Sequence, residues 1–310
     1  MVKFVEAKSP DIERVASLLE LCREQNHWAN RGPLYSMFAE KYATHFNLAA
    51  NRAVTPCANG GIALEAMSRL LAQSAGRPLR WIASAFSFQN LGRGHFSNVT
   101  FVDCTPQGLV DLEAVRDLDD DSFDGLIVTN SFGLFTDFSA YIDYARATGK
   151  ALLIDNAAGV NETIPDWPWQ SFSLHHTKPY GMGEGGLALT PADAAEDFYA
   201  LLNYGPPLER PADWLNNGKI SDIACAFLID RLEQADRWVP LYHEQAERVH
   251  SIAQKAGLTP IRTFGPTAPA MSWTFTADWE IPHECIHVAR HLHFAKYYKP
   301  LVKGGAKLVH

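Results

Sequence analysis

The 310-residue chain has no apolar run long enough to cross a bilayer, which takes about 18 or more such residues in succession. Its opening residues, Met1-Val2-Lys3-Phe4-Val5-Glu6, lack the apolar core of a secretory leader. Cysteine is scarce. The five present (Cys22, Cys57, Cys104, Cys225 and Cys285) are odd in number, scattered and without a Cys-x-x-Cys pair, which speaks against structural zinc and against a disulfide framework. A basic excess is also missing: the formal net charge is −8, and a nucleic-acid partner or an anionic membrane would want a basic face. An anionic small molecule is compatible with this charge, because a pocket can be locally positive on an acidic protein. The chain has no internal repeat, low-complexity tract or flexible linker. A cytoplasmic, reduced protein fits these absences.

What is present is ordinary globular composition, 47% hydrophobic and 20% charged. The length suggests one large α/β domain, over residues 1–235, and a smaller one over 236–310. Such a chain buries about three-quarters of its unfolded surface. Ser9-Pro10-Asp11 reads as a helix start with a capping hydroxyl, the helix running to about Cys22 or Glu24. Leu34, Met37, Phe38 and Tyr42 lie at helical spacing. Strands are expected at Ala53–Thr55, Trp81–Ser84, Val99–Val102, Gly125–Thr129, Ala151–Asp155, Ser171–Leu174 and Leu187–Thr190, with helices at Ile62–Ala75, Phe138–Thr148 and Ala192–Tyr204. Apolar strands alternating with helices predict a three-layer α/β fold with a mostly parallel sheet, whose ligands gather beyond the strands' carboxyl ends. Helices over Ile220–Arg237 and about Leu241–Ala256 then lead to a small C-terminal α+β domain, with strands near Pro260 and Met271–Phe275.

Two residues carry chemistry. Lys178 sits in Ser173-Leu174-His175-His176-Thr177-Lys178, ahead of Glu184-Gly185-Gly186. Asp155 ends the apolar run Ala151-Leu152-Leu153-Ile154 upstream of it. A pyridoxal 5'-phosphate enzyme needs a lysine for the Schiff base with the cofactor aldehyde and a buried carboxylate that keeps the pyridine nitrogen protonated. Taken singly, Lys178 could be a surface lysine and Asp155 a strand-end acid capping the next turn. Asn59-Gly60-Gly61-Ile62 opens a helix after a strand, where free backbone N–H groups and the dipole suit a phosphate; a plain two-glycine turn has the same spacing. Adjacent His175 and His176, as neighbours on a strand, point to opposite faces, so no metal is expected there.

With these blocks in this order, the chain resembles the nucleotide-sugar aminotransferases of the DegT/StrS type, a branch of the fold-type I pyridoxal-phosphate enzymes. The likeness runs from Trp28-Ala29-Asn30-Arg31-Gly32-Pro33 to Lys296-Tyr297-Tyr298-Lys299-Pro300-Leu301. It implies that Lys178 is the cofactor lysine and proton carrier, that Asp155 pairs with the pyridinium, and that Ser173 joins Gly60, Gly61 and Ile62 at the phosphate. It further implies that Phe88 stacks on the ring, and that Asn217, in Asn217-Gly218-Lys219-Ile220-Ser221-Asp222, reaches the phosphate of the neighbouring subunit. Asn30, His175 and Lys219 would face substrate. A homodimer with shared sites follows, with L-glutamate as amino donor and a nucleotide-linked keto-deoxy sugar as acceptor. Amino sugars for lipopolysaccharide, another surface polysaccharide or a glycosylated metabolite are the implied products.

Three departures from the family pattern stand out. Gly61 replaces its usual threonine, Ala158 replaces its glutamine or histidine, and the C-terminal region stops sooner, at His310. They motivate a different class of reading, a catalytically idle dimer of the same fold that binds or regulates. Turnover of a keto sugar, or amine transfer from glutamate to the cofactor, would separate the two.

Overall fold

The computed structural model describes residues 5–204, 217–262, 269–277 and 307–309. In chain order the helices are α1 (Ile12–Gln25), α2 (Pro33–His45), α3 (Gly60–Ala75), α4 (Leu112–Arg116), α5 (Ser139–Thr148), α6 (Ala195–Leu202), α7 (Asp222–Glu233) and α8 (Ala235–Lys255). The strands are β1 (Arg52–Cys57), β2 (Trp81–Ser84), β3 (Thr100–Val102), β4 (Gly125–Thr129), β5 (Ala151–Asp155), β6 (Gln170–Ser173), β7 (Gly186–Pro191), β8 (Thr259–Pro260), β9 (Phe275–Ala277) and β10 (Lys307–Val309). Seven of them form one sheet in the order β1-β7-β6-β5-β4-β2-β3. The run β5-β4-β2-β3 is parallel, whereas β7 is antiparallel to both of its neighbours. The fold is the expected α/β architecture with a mostly parallel sheet.

The chain divides into two compact units, one of residues 1–74 and 160–240, the other of 75–159 and 241–310. In the first, α1 is capped by Asp11, whose side chain accepts the Arg14 N–H; Ser9, the hydroxyl expected at this place, precedes the cap. A carboxylate bonds the first-turn amides at short range, so it outcompetes a hydroxyl two residues upstream. Pro33 opens α2 at the one turn where its missing N–H costs nothing. Leu34, Phe38 and Tyr42 bury the inner face of that helix. Strand β1 runs on through Pro56 to Cys57, beyond the expected Thr55. It can do so because β1 is the sheet's edge strand, where a residue without N–H is tolerated. The expected helix Ile220–Arg237 instead breaks at Gln234, between α7 and α8, and Pro240 lies inside α8.

In the second unit, Leu126, Ile127, Val128, Leu152, Leu153 and Ile154 on β4 and β5 are fully buried. Each such side chain contributes about 1.5–3 kcal/mol on burial. Phe86, Cys104, Phe132, Leu134, Ile261 and Ala270 form a further apolar cluster. A three-stranded antiparallel sheet, β10-β9-β8, completes the unit. The strand expected over Met271–Phe275 is found later, at Phe275–Ala277, because Met271 turns its N–H to the Phe132 carbonyl. The motif Lys296–Leu301 lies outside the described residues.

Candidate active site

In the first unit the Lys178 segment follows the end of β6. Ser173 closes the strand, and its Oγ accepts the His175 N–H at 3.3 Å. The Leu174 amide then bonds the Gly185 carbonyl and the His176 amide the Gly183 carbonyl, both at 2.8 Å, so the segment 174–185 is a closed loop. Inside it, Lys178 N–H donates to His175 O at 2.8 Å and Gly181 N–H to Lys178 O at 2.9 Å. Those two turns fix the backbone on either side of the lysine.

The helix α3 starts against this strand end. A Cβ placed on Gly60 would lie 3.0 Å from the Ser173 amide nitrogen and 3.1 Å from the Phe172 carbonyl. A side chain at 60 would push the helix start away from Ser173. Asn59 caps α3 through Oδ1, which takes the Ile62 N–H at 2.9 Å, and the Asn59 carbonyl takes the Ala63 N–H at 3.1 Å. The Gly60 and Gly61 amides precede the helix's own hydrogen-bond ladder and carry its positive dipole end. Of the three expected phosphate amides, Ile62 is therefore engaged by the cap, whereas Gly60 stands beside Ser173 and Gly61 follows it in the first turn. These residues fit a phosphate: a dipole end, two glycine amides and a hydroxyl.

Gly218 belongs to the same neighbourhood, its carbonyl accepting the Ala58 N–H at 2.8 Å. Asn217 before it is exposed and bridges to Asn203 on its backbone. Lys219 reaches Asn203 Oδ1 at 2.6 Å and covers the Tyr204 ring. Asn30 is exposed and adopts a left-handed backbone, φ 59°, a conformation asparagine accepts more readily than most residues. Its neighbour Arg31 lies over the Tyr199 ring and bonds Glu196 at 2.8 Å.

His175 pairs through Nδ1 with Thr177 Oγ1 at 2.8 Å and faces Glu184 at 3.5 Å. Burial is the main cause that lowers its pKa, opposed by Glu184. The two adjacent histidines do not diverge as expected. The strand has ended at Ser173, and the His175 and His176 rings lie side by side, 5.0 Å between centroids.

In the second unit, Asp155 ends β5 and is 4% exposed; its carboxylate accepts the Ala157 N–H at 3.3 Å. Its carbonyl takes the Asn130 N–H at 2.8 Å. The Asn130 side chain donates to Asn156 Oδ1 at 2.8 Å and accepts from Arg262 at 2.6 Å. Arg262 also bonds Thr136 Oγ1 and the Gln107 carbonyl, both at 2.8 Å. This network behind the Asp155 strand end was not anticipated from the sequence. Its members lie far apart along the chain, and only a buried arginine in a short strand region could have signalled it. Ala158 is buried, and Phe88 is half-exposed while Phe86, two residues before it, is in the core.

The model of the DegT/DnrJ/EryC1/StrS aminotransferase family matches residues 11–284. The chain belongs to that family. Its members are aminotransferases whose cofactor is pyridoxal 5'-phosphate, and the residues around Gly60, Ser173 and Lys178 suit that group. The chain is 26% identical over 258 residues to Protein Rv3402c of Mycobacterium tuberculosis and, to the same degree, to Protein Mb3436c of Mycobacterium bovis. Those matches take in 76% of this chain but only 61% of each relative, so the chain spans about three-fifths of their length. Among solved structures, DesI with its TDP-sugar product superposes with a TM-score of 0.70 at 20% identity, over 94% of this chain and 75% of that one. Helicobacter pylori PseC, an aminotransferase of pseudoaminic acid biosynthesis, gives 0.72 at 15% identity, over 88% and 76%. These DegT-type structures establish the shared fold. Among the described residues, no helix is long and apolar enough to cross a membrane.

Proposed function

We propose that this chain transfers an amino group from L-glutamate to a keto group of a nucleotide-linked deoxy sugar, as a homodimer. The observation that carries the reading is the closed 174–185 loop, which holds Lys178 just beyond the β6 end, with Ser173 closing that strand and Gly60, at the start of α3, packed against it. Bound pyridoxal 5'-phosphate supplies an aldehyde that takes up the donor amine and a ring that draws electron density from the substrate carbon. The chain's residues do the rest. Ser173 and the two glycine amides bind the phosphate, and the buried Asp155 carboxylate keeps the pyridine nitrogen protonated. Lys178 Nζ anchors the cofactor and carries the proton between substrate carbon and cofactor. Phe88 covers the ring, and Asn30, His175 and Lys219 meet substrate. Asn217, exposed on its own chain, reaches the phosphate of a second copy. The sugar class is supported by the resemblance in fold to DesI with its TDP-sugar product and to PseC.

Borohydride reduction of the cofactor-loaded protein, followed by peptide mapping, tests the site. The pyridoxyl label is expected on Lys178. Amine transfer from glutamate, followed through 2-oxoglutarate release and then a nucleotide-linked keto sugar, tests the reaction. Label on another lysine sinks the site assignment; absent transfer from glutamate returns the idle dimer.

A further inference from the structure

Outside the residues already assigned, two cations from distant parts of the first unit converge on the loop that carries Lys178. Lys8, in the segment before α1, directs its ammonium at three carbonyls: Lys178 O at short range, Gly181 O at 2.6 Å and Pro179 O at 3.4 Å. An ammonium has three donors and no acceptor, so the match in number is complete. Arg231, on α7, adds two bonds to the Pro179 carbonyl, from Nε at 3.0 Å and Nη2 at 2.8 Å. Both cations are nearly buried, with 5% and 8% of their side chains exposed. Glu6 links them, taking an Arg231 N–H at 2.7 Å and lying 3.8 Å from Lys8 Nζ. Behind them, Arg231 lies 3.9 Å from the Trp238 ring centroid, and Trp238 meets the Tyr180 ring edge-on at 4.7 Å. Burying two cations against one carboxylate costs several kcal/mol unless carbonyls or other acceptors surround them. Here the carbonyls of Lys178, Pro179 and Gly181 do so.

We propose that Lys8 and Arg231 are positioning residues that clamp the 178–181 backbone by its carbonyls and so set the pose of Lys178 toward the cofactor. The proposal rests on reading Lys178 as the cofactor lysine. Burial, which lowers the Lys8 pKa to about 8, reflects the same enclosure. The clamp acts on the peptide that bears the lysine.

The test compares cofactor-loaded wild type with Lys8→Met, the milder Lys8→Gln and the charge-keeping Lys8→Arg. Amide hydrogen exchange is followed in the peptide covering 174–185. Lys8→Met should raise exchange at Gly181 about tenfold, the loss expected when a charged donor leaves buried carbonyls. The pH midpoint of the bound cofactor's visible absorbance should move by about half a unit or more. Lys8→Gln should show both effects at smaller size, and Lys8→Arg should recover most of each. Unchanged exchange removes the clamp. Raised exchange with an unmoved midpoint reduces Lys8 to an anchor for the segment before α1 and overturns the proposal. Borohydride mapping of the same samples separates the underlying reading: a label away from Lys178 sinks that reading, and the proposal with it, whatever the exchange shows.

Discussion

Gly32 lies so close to Asp222 that a methyl group at position 32 would sit 2.6 Å from the carboxylate oxygen. The buried Asp222 side chain collects the amides of Gly32 at 3.2 Å, Leu34 at 2.8 Å and Tyr35 at 3.1 Å, and so fastens the start of α2 to the start of α7. Gly32 itself has an ordinary backbone, φ −68°, so closeness rather than conformation demands glycine. Gly32→Ala should therefore destabilise by about 2 kcal/mol through overpacking. Asp222→Ala should cost about 3 kcal/mol by stranding buried amides. Urea midpoints compared at constant m-value check both.

Asp155→Ala removes the charge proposed to hold the ring nitrogen protonated. Loss of that contact should add at least ~3 kcal/mol to the barrier, more than a hundredfold in rate. Near wild-type transamination, measured by single-turnover absorbance with glutamate, would make Asp155 a strand-end cap.

Glu233 joins Arg14 of α1 and Lys41 of α2, each at 2.8 Å. The Arg14 hydrogen bond, with Lys41, holds its pKa down to about 2 against the partial burial that raises it. A depressed carboxylate gives stability that is present above its unfolded pKa of about 4.5 and lost as pH falls through the folded value. Because the partners are more than a third exposed, solvent screening limits the effect to about 1 kcal/mol. Glu233→Gln should lower stability by that amount at pH 7, and the gap should shrink by more than half by about pH 3. Denaturant titrations at the two pH values measure it, and a gap independent of pH refutes it.

Asn217→Ala should weaken cofactor binding about tenfold while the fold persists, since a neutral hydrogen bond at a phosphate contributes on the order of 1–3 kcal/mol. Mixing Lys178→Ala subunits with an inactivating Asn217 variant distinguishes whose phosphate it serves. A heterodimer then has one site with both lesions and one with neither, so up to half the activity per heterodimer should return. Exchanged subunits that stay inactive place Asn217 at its own subunit's site.

The strands β2, β4 and β5 were legible in the sequence to the residue because fully buried parallel strands read as unbroken apolar runs. The cap of α1 and the break at Gln234 were not, since each is decided by which nearby group wins a hydrogen bond. Asp11, for example, also takes its own N–H to Asp230 on α7, a partner no local pattern announces. The Lys178 motif was visible because its parts are contiguous. Lys8 was invisible because it meets that motif across 170 positions. Arg231 left one trace: it follows Asp230 inside the apolar run of α7, and charged residues are rarely that buried without partners.

Both compact units are discontinuous, the first closing only with residues up to 240 and the second only with those from 241 on. During synthesis, then, Lys8 must wait for some 170 more residues before its acceptors exist, and Arg231 comes later still. The segment preceding α1 is therefore made long before it can be seated. Long-range closure of this kind is slow relative to local helix formation, and the nascent chain must keep β1 and α3 from mispairing meanwhile. A fusion or truncation at residues 5–10 would therefore be felt as a late defect: ordinary early folding, followed by a Lys178 loop that never acquires its final fastening.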